Sequence, residues 1–173
     1  ADHAGGLEWL AFSRHFEGHA RKPKLYVHPD LVSRLWNNVM SGGLQSIEGA
    51  SPAQLSDFYD LIPMTDTSFF TWEGVVFELV QTIHAFNGTE LLPSYGVFFK
   101  AGDTHVFITT DTQFKPGRYK EYFEKADIIF HDCDTALIPN PVHSHFLELA
   151  TLPDAIKSKM WLYHYCSATQ FDA

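Results

Sequence analysis

Val106-Phe107-Ile108-Thr109-Thr110-Asp111-Thr112 is a run of β-branched and aromatic residues that closes on a carboxylate. The run predicts a buried strand, and its last residues predict an acid presented where that strand ends. Two other runs have the same form: Leu79-Val80-Gln81-Thr82-Ile83 is followed by His84, and Met160-Trp161-Leu162-Tyr163 by His164. Three strand exits therefore carry three side chains of ligand type. Asp2 and His3, just ahead of a Gly5-Gly6 turn into a helix, supply two more. Neutral imidazoles with carboxylates are the donor set of zinc, manganese or iron. Each residue alone has a plainer reading: a histidine at a strand end is commonly a hydrogen-bonded or exposed side chain, and Asp111 is a turn residue or a cap. The argument rests on the set.

Working outward, Ser68–Trp72 and Val75–His84 predict a hairpin turned by Glu73-Gly74, and Tyr95–Lys100 with His105–Thr110 a second one turned by Ala101-Gly102-Asp103. Pro116–Lys125 suits a helix, Asp127–His131 a buried strand, Phe146–Lys159 a helical stretch interrupted by Pro153, and Met160–His164 a last strand. Upstream, Ala4–Phe16 predicts a helix and Lys24–His28 a strand. A helix opened by Pro29-Asp30, with Leu31, Leu35 and Val39 on one face, is expected to end at Gly42-Gly43. Ser51-Pro52 reads as a cap with proline at the first helical position, leading into Leu55, Phe58 and Tyr59. The order is helices, antiparallel strands, then alternating strand and helix, which is a layered α/β chain.

The chain has 173 residues and a formal charge of −9, from 12 Lys plus Arg and 21 Asp plus Glu. The length predicts one domain over residues 1–173. Apolar residues at 45% and charged residues at 19% provide a core and exclude disorder. No apolar run approaches the roughly 18 to 20 residues of a membrane-spanning helix, and Ala1-Asp2-His3 lacks the pattern of a secretory signal. A soluble protein with no membrane partner is expected. With only Cys133 and Cys166, no disulfide framework is expected, and the cytoplasm is the simpler compartment. Asn87-Gly88-Thr89 then reads as a turn. The negative charge, with Arg21-Lys22-Pro23-Lys24 as the longest basic cluster, argues against duplex nucleic acid and leaves a small anionic substrate held by metal.

These stretches resemble the metallo-β-lactamase superfamily of metal-dependent hydrolases. Its His-x-His-x-Asp-His signature, followed by a glycine-rich helix start, is half present as Asp2-His3-Ala4-Gly5-Gly6, and both leading histidines would precede Ala1. Thr82-Ile83-His84, Thr109-Thr110-Asp111-Thr112 and Leu162-Tyr163-His164 follow in the family's order. The resemblance implies a four-layer αββα sandwich without its N-terminal strands, in a chain incomplete at its N-terminus and at its C-terminus. It also implies two divalent metal ions, zinc or else manganese. Asp111 would bridge them, Asp2, His3 and His164 would complete one site, and His84 would belong to the other.

Ala126-Asp127-Ile128-Ile129-Phe130-His131-Asp132-Cys133, followed by His143-Ser144-His145, resembles the phosphodiesterase branch. That branch holds transfer-RNA 3′-processing endonucleases, cyclic-nucleotide phosphodiesterases and phage anti-Pycsar enzymes, which destroy cyclic pyrimidine nucleotides. In it a histidine shortly before the last ligand lies near the scissile phosphate. His143, 21 residues before His164, is therefore the expected general acid, with His145 the second choice and Asp2 a further catalytic group. The plain reading of His143 and His145 is a loop capping the helix near Phe146. His131, Asp132 and Asp134 are expected to orient ligands or to be ordinary strand-end polar groups. The resemblance implies a small cyclic nucleotide as substrate and a homodimer, with Phe69, Phe70, Trp72 and Phe98-Phe99 as apolar surface where they do not fill the core. A transfer-RNA endonuclease, a lactonase or thioester hydrolase, and a non-catalytic, metal-poor interaction module are the other readings.

Overall fold

The computed structural model describes residues 3–18, 21–47, 49, 51–65, 68–86 and 88–165. The chain divides into two compact units, residues 1–65 and 66–173. In the first, helix α1 (Gly5–Phe16) is followed by β1 (Lys24–Val27), and α2 (Pro29–Leu35) opens with His28 as its cap, its Nδ1 accepting the Asp30 N–H at 3.3 Å. A π-helical stretch, Trp36–Met40, joins α2 to α3 (Ser41–Leu44). One helical turn, α4 (Leu55–Phe58), precedes β2 (Asp60–Pro63), which pairs in parallel with β1 from Lys24↔Asp60 to Val27↔Pro63.

Two expectations are corrected in this unit. Gly42-Gly43 does not end the helix, because Met40 and Leu44 are both fully buried and their packing outweighs the roughly 1 kcal/mol that a helical glycine costs. Ser51-Pro52 does not start a helix: α4 begins after Gln54, whose N–H donates to the Asp57 carboxylate at 2.6 Å. The core gathers Ala11, Met40, Leu44, Leu55, Phe58 and Tyr59, and the Tyr59 hydroxyl donates to Leu7 O at 2.6 Å. That bond gives the buried phenol the partner it needs.

The second unit is built on a six-stranded sheet ordered β3 (Phe69–Trp72), β4 (Val75–Phe86), β5 (Leu91–Ala101), β6 (Thr104–Ile108), β7 (Ile128–Asp132) and β8 (Met160–Tyr163). The first four strands pair antiparallel and the last three parallel. Glu73 and Gly74 both have positive φ, 49° and 80°, the backbone a tight two-residue hairpin requires. Helix α5 (Pro116–Lys125) buries Tyr119 and Phe123 against Val80, Phe107 and Ile129. Single helical turns α6 (Phe146–Leu149) and α7 (Asp154–Lys157) flank Pro153, as its break predicts. Cys133 is buried and free; Cys166 and Asn87 lie outside the described residues.

The β4–β5 hairpin is longer than expected: β5 starts at Leu91, and β4 continues through His84 to Phe86 by way of a bulge between Ile83 and Ala85. Period-2 patterning cannot register an inserted residue. Midway along β5, Gly96 lies so close to the end of β6 that a Cβ there would sit 2.5 Å from Ile108 O and 3.0 Å from Thr109 O. Both neighbours are backbone and cannot yield without shifting the strand that presents Asp111. Gly96→Ala is therefore expected to destabilise the protein by about 1–3 kcal/mol, read as a lowered urea midpoint; an unchanged midpoint would mean that β5 and β6 can move apart freely.

Candidate metal centre

The site lies at the carboxyl ends of β6, β7 and β8. Parallel pairing aligns Ile108 with Phe130 and Asp132 with Tyr163, so Asp111, Asp132 and His164 emerge at neighbouring exits. Two of these exits use backbone that side chains other than glycine rarely adopt: Thr110 has φ 54° and His164 φ 72°. Each such residue costs on the order of 1–3 kcal/mol and persists only where its surroundings hold it. Thr110 is held by its hydroxyl, which donates to Tyr95 O at 2.9 Å and lies 3.0 Å from Ser94 Oγ, and by its carbonyl, which accepts from Thr109 Oγ1 at 2.8 Å.

His84 arrives from the bulge in β4, inside the strand rather than at its exit. Its Nδ1 lies 2.9 Å from Val142 O. A carbonyl only accepts, so Nδ1 carries the proton and Nε2 offers its lone pair toward Asp111 Oδ2, 3.9 Å away. The same Oδ2 lies 4.0 Å from His164 Nε2. Both separations exceed hydrogen-bonding distance, and both imidazoles face one carboxylate oxygen.

Asp132 forms the floor. It has no solvent exposure, its Oδ2 accepts the Thr112 N–H at 2.9 Å, and the same oxygen lies 2.7 Å from His143 Nδ1. Its other oxygen, Oδ1, is buried with no hydrogen-bond partner among the described residues, and His164 Nδ1 stands 3.6 Å from it. The His143 ring stacks on His164 at 4.5 Å and lies 5.0 Å from that of His84. Two clusters bring ligand-type atoms together, His84, Asp111 and His143, and Asp132, His143 and His164; Asp132 already takes the Nδ1 of His143, the residue common to both, which leaves His84, Asp111 and His164 as the donors for an ion. Two buried carboxylates among imidazoles make the site electron-rich. Burial pushes the Tyr163 phenol up to about 12, with Asp132 and Asp111 adding to the shift; burial likewise takes the Cys133 thiol to about 12, helped by Asp132 and Asp134. A buried unpartnered carboxylate oxygen beside convergent imidazole nitrogens fits a divalent cation.

The residues expected from sequence separate here. His84, Asp111, His143 and His164 come together. His145 does not join them: its Nδ1 caps α6 by accepting the Leu147 N–H at 3.3 Å, and its Nε2 is engaged by the loop carbonyl of Ala136 at 3.1 Å. His131 is buried behind the site, its Nδ1 2.7 Å from Asp132 O, and burial lowers its pKa. Burial would raise the Asp134 carboxyl, but the N–H groups of Ala136 and Asn140, both at 2.9 Å, outweigh it and hold it below the usual range. Asp134 thereby shapes the loop that carries His143. His3 is exposed in the turn before α1, within the first unit, and Asp2 lies outside the described residues.

A family profile described as "Anti-Pycsar protein Apyc1" matches residues 1–173. The chain belongs to the anti-Pycsar protein Apyc1 family. It is 34% identical over 170 residues to the Apyc1 protein of Paenibacillus harenae and 31% identical over 173 residues to that of Bacillus phage 010DV004. Both alignments cover 95% of this chain, which spans 64% and 65% of the length of these Apyc1 relatives. Among solved structures it resembles the metallo-β-lactamase fold protein YhfI from Bacillus subtilis, with a TM-score of 0.64, 16% identity and coverage of 95% of this chain and 60% of that one. A diphosphatase of the PhnP family gives a TM-score of 0.55 at 19% identity, over 95% of this chain and 54% of that one. The fold of this Apyc1 family member is thus the metallo-β-lactamase fold.

Replacing the floor tests whether it organises the centre. Asp132→Asn must turn an amide NH2 toward the Thr112 N–H, the His143 ring or the unfilled side. We expect metal retention to fall about 10- to 100-fold, measured by zinc titration of the whole protein; retention equal to wild type would separate Asp132 from the centre.

Proposed function

We propose that the protein is a metal-dependent phosphodiesterase that hydrolyses a small cyclic nucleotide. The observation that supports this reading best is the Asp132–His143 pair beside the His84, Asp111 and His164 donors, in a member of the anti-Pycsar Apyc1 family. In this reading Asp111, His164 and His84 would hold the metal, with Asp111 as their common carboxylate neighbour. Zinc, or manganese in its place, supplies when bound a water acidic enough to yield hydroxide near neutral pH and positive charge for the phosphoryl oxygens.

The chain's own residues do the rest. Val142 O holds the His84 ring by Nδ1, which keeps the Nε2 lone pair aimed at the Asp111 side. Asp132 holds the His143 ring by Nδ1 and leaves Nε2 to hand a proton to the departing ribose oxygen. An acid so positioned contributes typically about 10²- to 10⁴-fold. A homodimer belongs to the same reading: Phe69 and Trp72, both on the edge strand β3, are each 62% exposed.

Hydrolysis of cyclic CMP, UMP, AMP and GMP by the whole protein tests the proposal. At least one should be cleaved, cleavage should stop on chelation and return with zinc or manganese, and His143→Ala should lower kcat by about 10²- to 10⁴-fold without releasing metal. Failure on all four with metal bound overturns the phosphodiesterase reading. Cleavage of a transfer-RNA precursor instead, with steep salt dependence, would replace it with the endonuclease.

A further inference from the structure

Strand β3 covers β4 only from Val75 to Glu78, so among the described residues the outer edge of β4 from Leu79 onward has no strand beside it. An open edge leaves backbone donors and acceptors unmet. Ser68 O takes the Leu79 N–H at 3.0 Å, and the Arg118 guanidinium donates to Gln81 O at 3.2 Å and to the Gln81 side-chain oxygen at 2.6 Å. At Ile83, the residue before the bulge, the cover is closest. The Ile83 N–H donates to the Tyr119 hydroxyl at 3.1 Å, that hydroxyl lies 2.9 Å from Thr112 Oγ1, and the one proton of Thr112 Oγ1 is shared between Ile83 O at 3.2 Å and Gln113 O at 3.1 Å. Because an N–H can only donate and a carbonyl only accept, this ring closes with every proton used when Tyr119 donates to Thr112. The Gln113 N–H adds a second bond to Ile83 O at 2.6 Å, and Gln113 Nε2 donates to His84 O at 2.9 Å.

We infer that Tyr119, a fully buried residue of α5, is a positioning residue that holds the β4 bulge in the form that aims His84 at Asp111. Its ring packs among Phe107 and Phe123 while its hydroxyl reaches the backbone of the residue before His84, so the core and the centre are joined through one side chain. Without the hydroxyl, the half-buried Ile83 N–H loses its acceptor and the bulge loses the bond that favours it over a regular strand. A regular strand would turn the side chain of every later residue, His84 first, to the opposite face. The inference rests on the proposed role of His84 as a metal ligand for its consequence, and on the hydrogen-bonded ring for its cause.

Two measurements on the whole protein separate these. The first is zinc affinity by competition with a chromophoric chelator, for wild type, Tyr119→Phe, Thr112→Val, Thr112→Ser and Tyr122→Phe. Tyr122 lies on the same helix and donates to Glu78 at 2.7 Å, so its variant removes a comparable hydroxyl away from the bulge. Tyr119→Phe and Thr112→Val should weaken zinc at least tenfold, while Thr112→Ser and Tyr122→Phe should stay near wild type. Equal affinity throughout, or the same loss in Tyr122→Phe, overturns the inference. If Tyr119→Phe fails to fold, the contrast between Thr112→Val and Thr112→Ser decides alone. The second measurement is hydrogen exchange of the Ile83 amide in metal-free protein. It should quicken at least tenfold in Tyr119→Phe and not in Tyr122→Phe, and an unchanged rate overturns the clamp. Wild-type protein that holds no zinc while the Ile83 exchange responds as stated would instead overturn the metal reading of His84 and leave the clamp standing.

Discussion

A carboxylate with no access to water is tolerable only if the fold is arranged around it, and Asp132 is such a group. One of its oxygens is satisfied twice, by the backbone of Thr112 and by the His143 ring. These bonds tie the turn after β6 and the loop before α6 to the end of β7. The Asp132 N–H in turn donates to Thr109 Oγ1 at 3.1 Å, so the residue is gripped at backbone and side chain by the same neighbouring strand exit. The other oxygen is left for a positive partner. The convergence of Thr112, His143 and His164 thus follows where a buried negative charge can find donors, and parallel pairing of β6, β7 and β8 is what brings those donors within reach.

The remaining ligand-type residue reaches the site by a different device. His84 belongs to an antiparallel strand that runs past the site, where a regular pleat would only alternate its side chains between two faces. The bulge breaks that alternation once, on a stretch whose outer backbone groups lie beyond the end of β3 and need other partners. The Thr112–Tyr119 segment meets them, and it follows Asp111 directly. The turn that presents the acid therefore also braces the strand that presents the imidazole. The loop bearing His143 adds a third constraint, since Val142 O fixes which His84 nitrogen is free.

Sequence alone carried the strand exits well. Asp111 and His164 follow runs whose β-branched and aromatic content is set by burial, and their position one to three residues beyond the last paired residue could be read directly. The identity of His143 came with the resemblance to phosphodiesterases, and the plain reading of His145 as a cap for the helix near Phe146 is the one the structure shows. Asp132 was legible as a polar residue at a strand end, but its place as the common partner of Thr112 and His143 depends on contacts 20 and 11 residues apart in the chain, which local pattern does not encode. The β4 bulge left no trace at all, because a single inserted residue changes phase without changing composition. The helix through Gly42-Gly43 was misread for a related reason: burial of Met40 and Leu44 decides it, and burial belongs to the fold.

Strained exits and a bulge demand a backing that does not give. Thr110 and His164 sit in backbone conformations that an isolated chain would leave, and the bulge is a local defect that an isolated hairpin would smooth out. Helix α5 supplies the resistance because its two duties fall on adjacent turns and on the same residues. Tyr119 and Phe123 fill the densest part of the core, while Arg118 and the Tyr119 hydroxyl reach the uncovered edge of β4. Packing in this unit and geometry at the candidate centre are consequently one property. A change that loosens Phe107 or Phe123 must be felt at His84 through Tyr119, whereas a change on the exposed face of the same helix, at Lys120 or Glu124, where the ion pair is solvent-screened, has no such route.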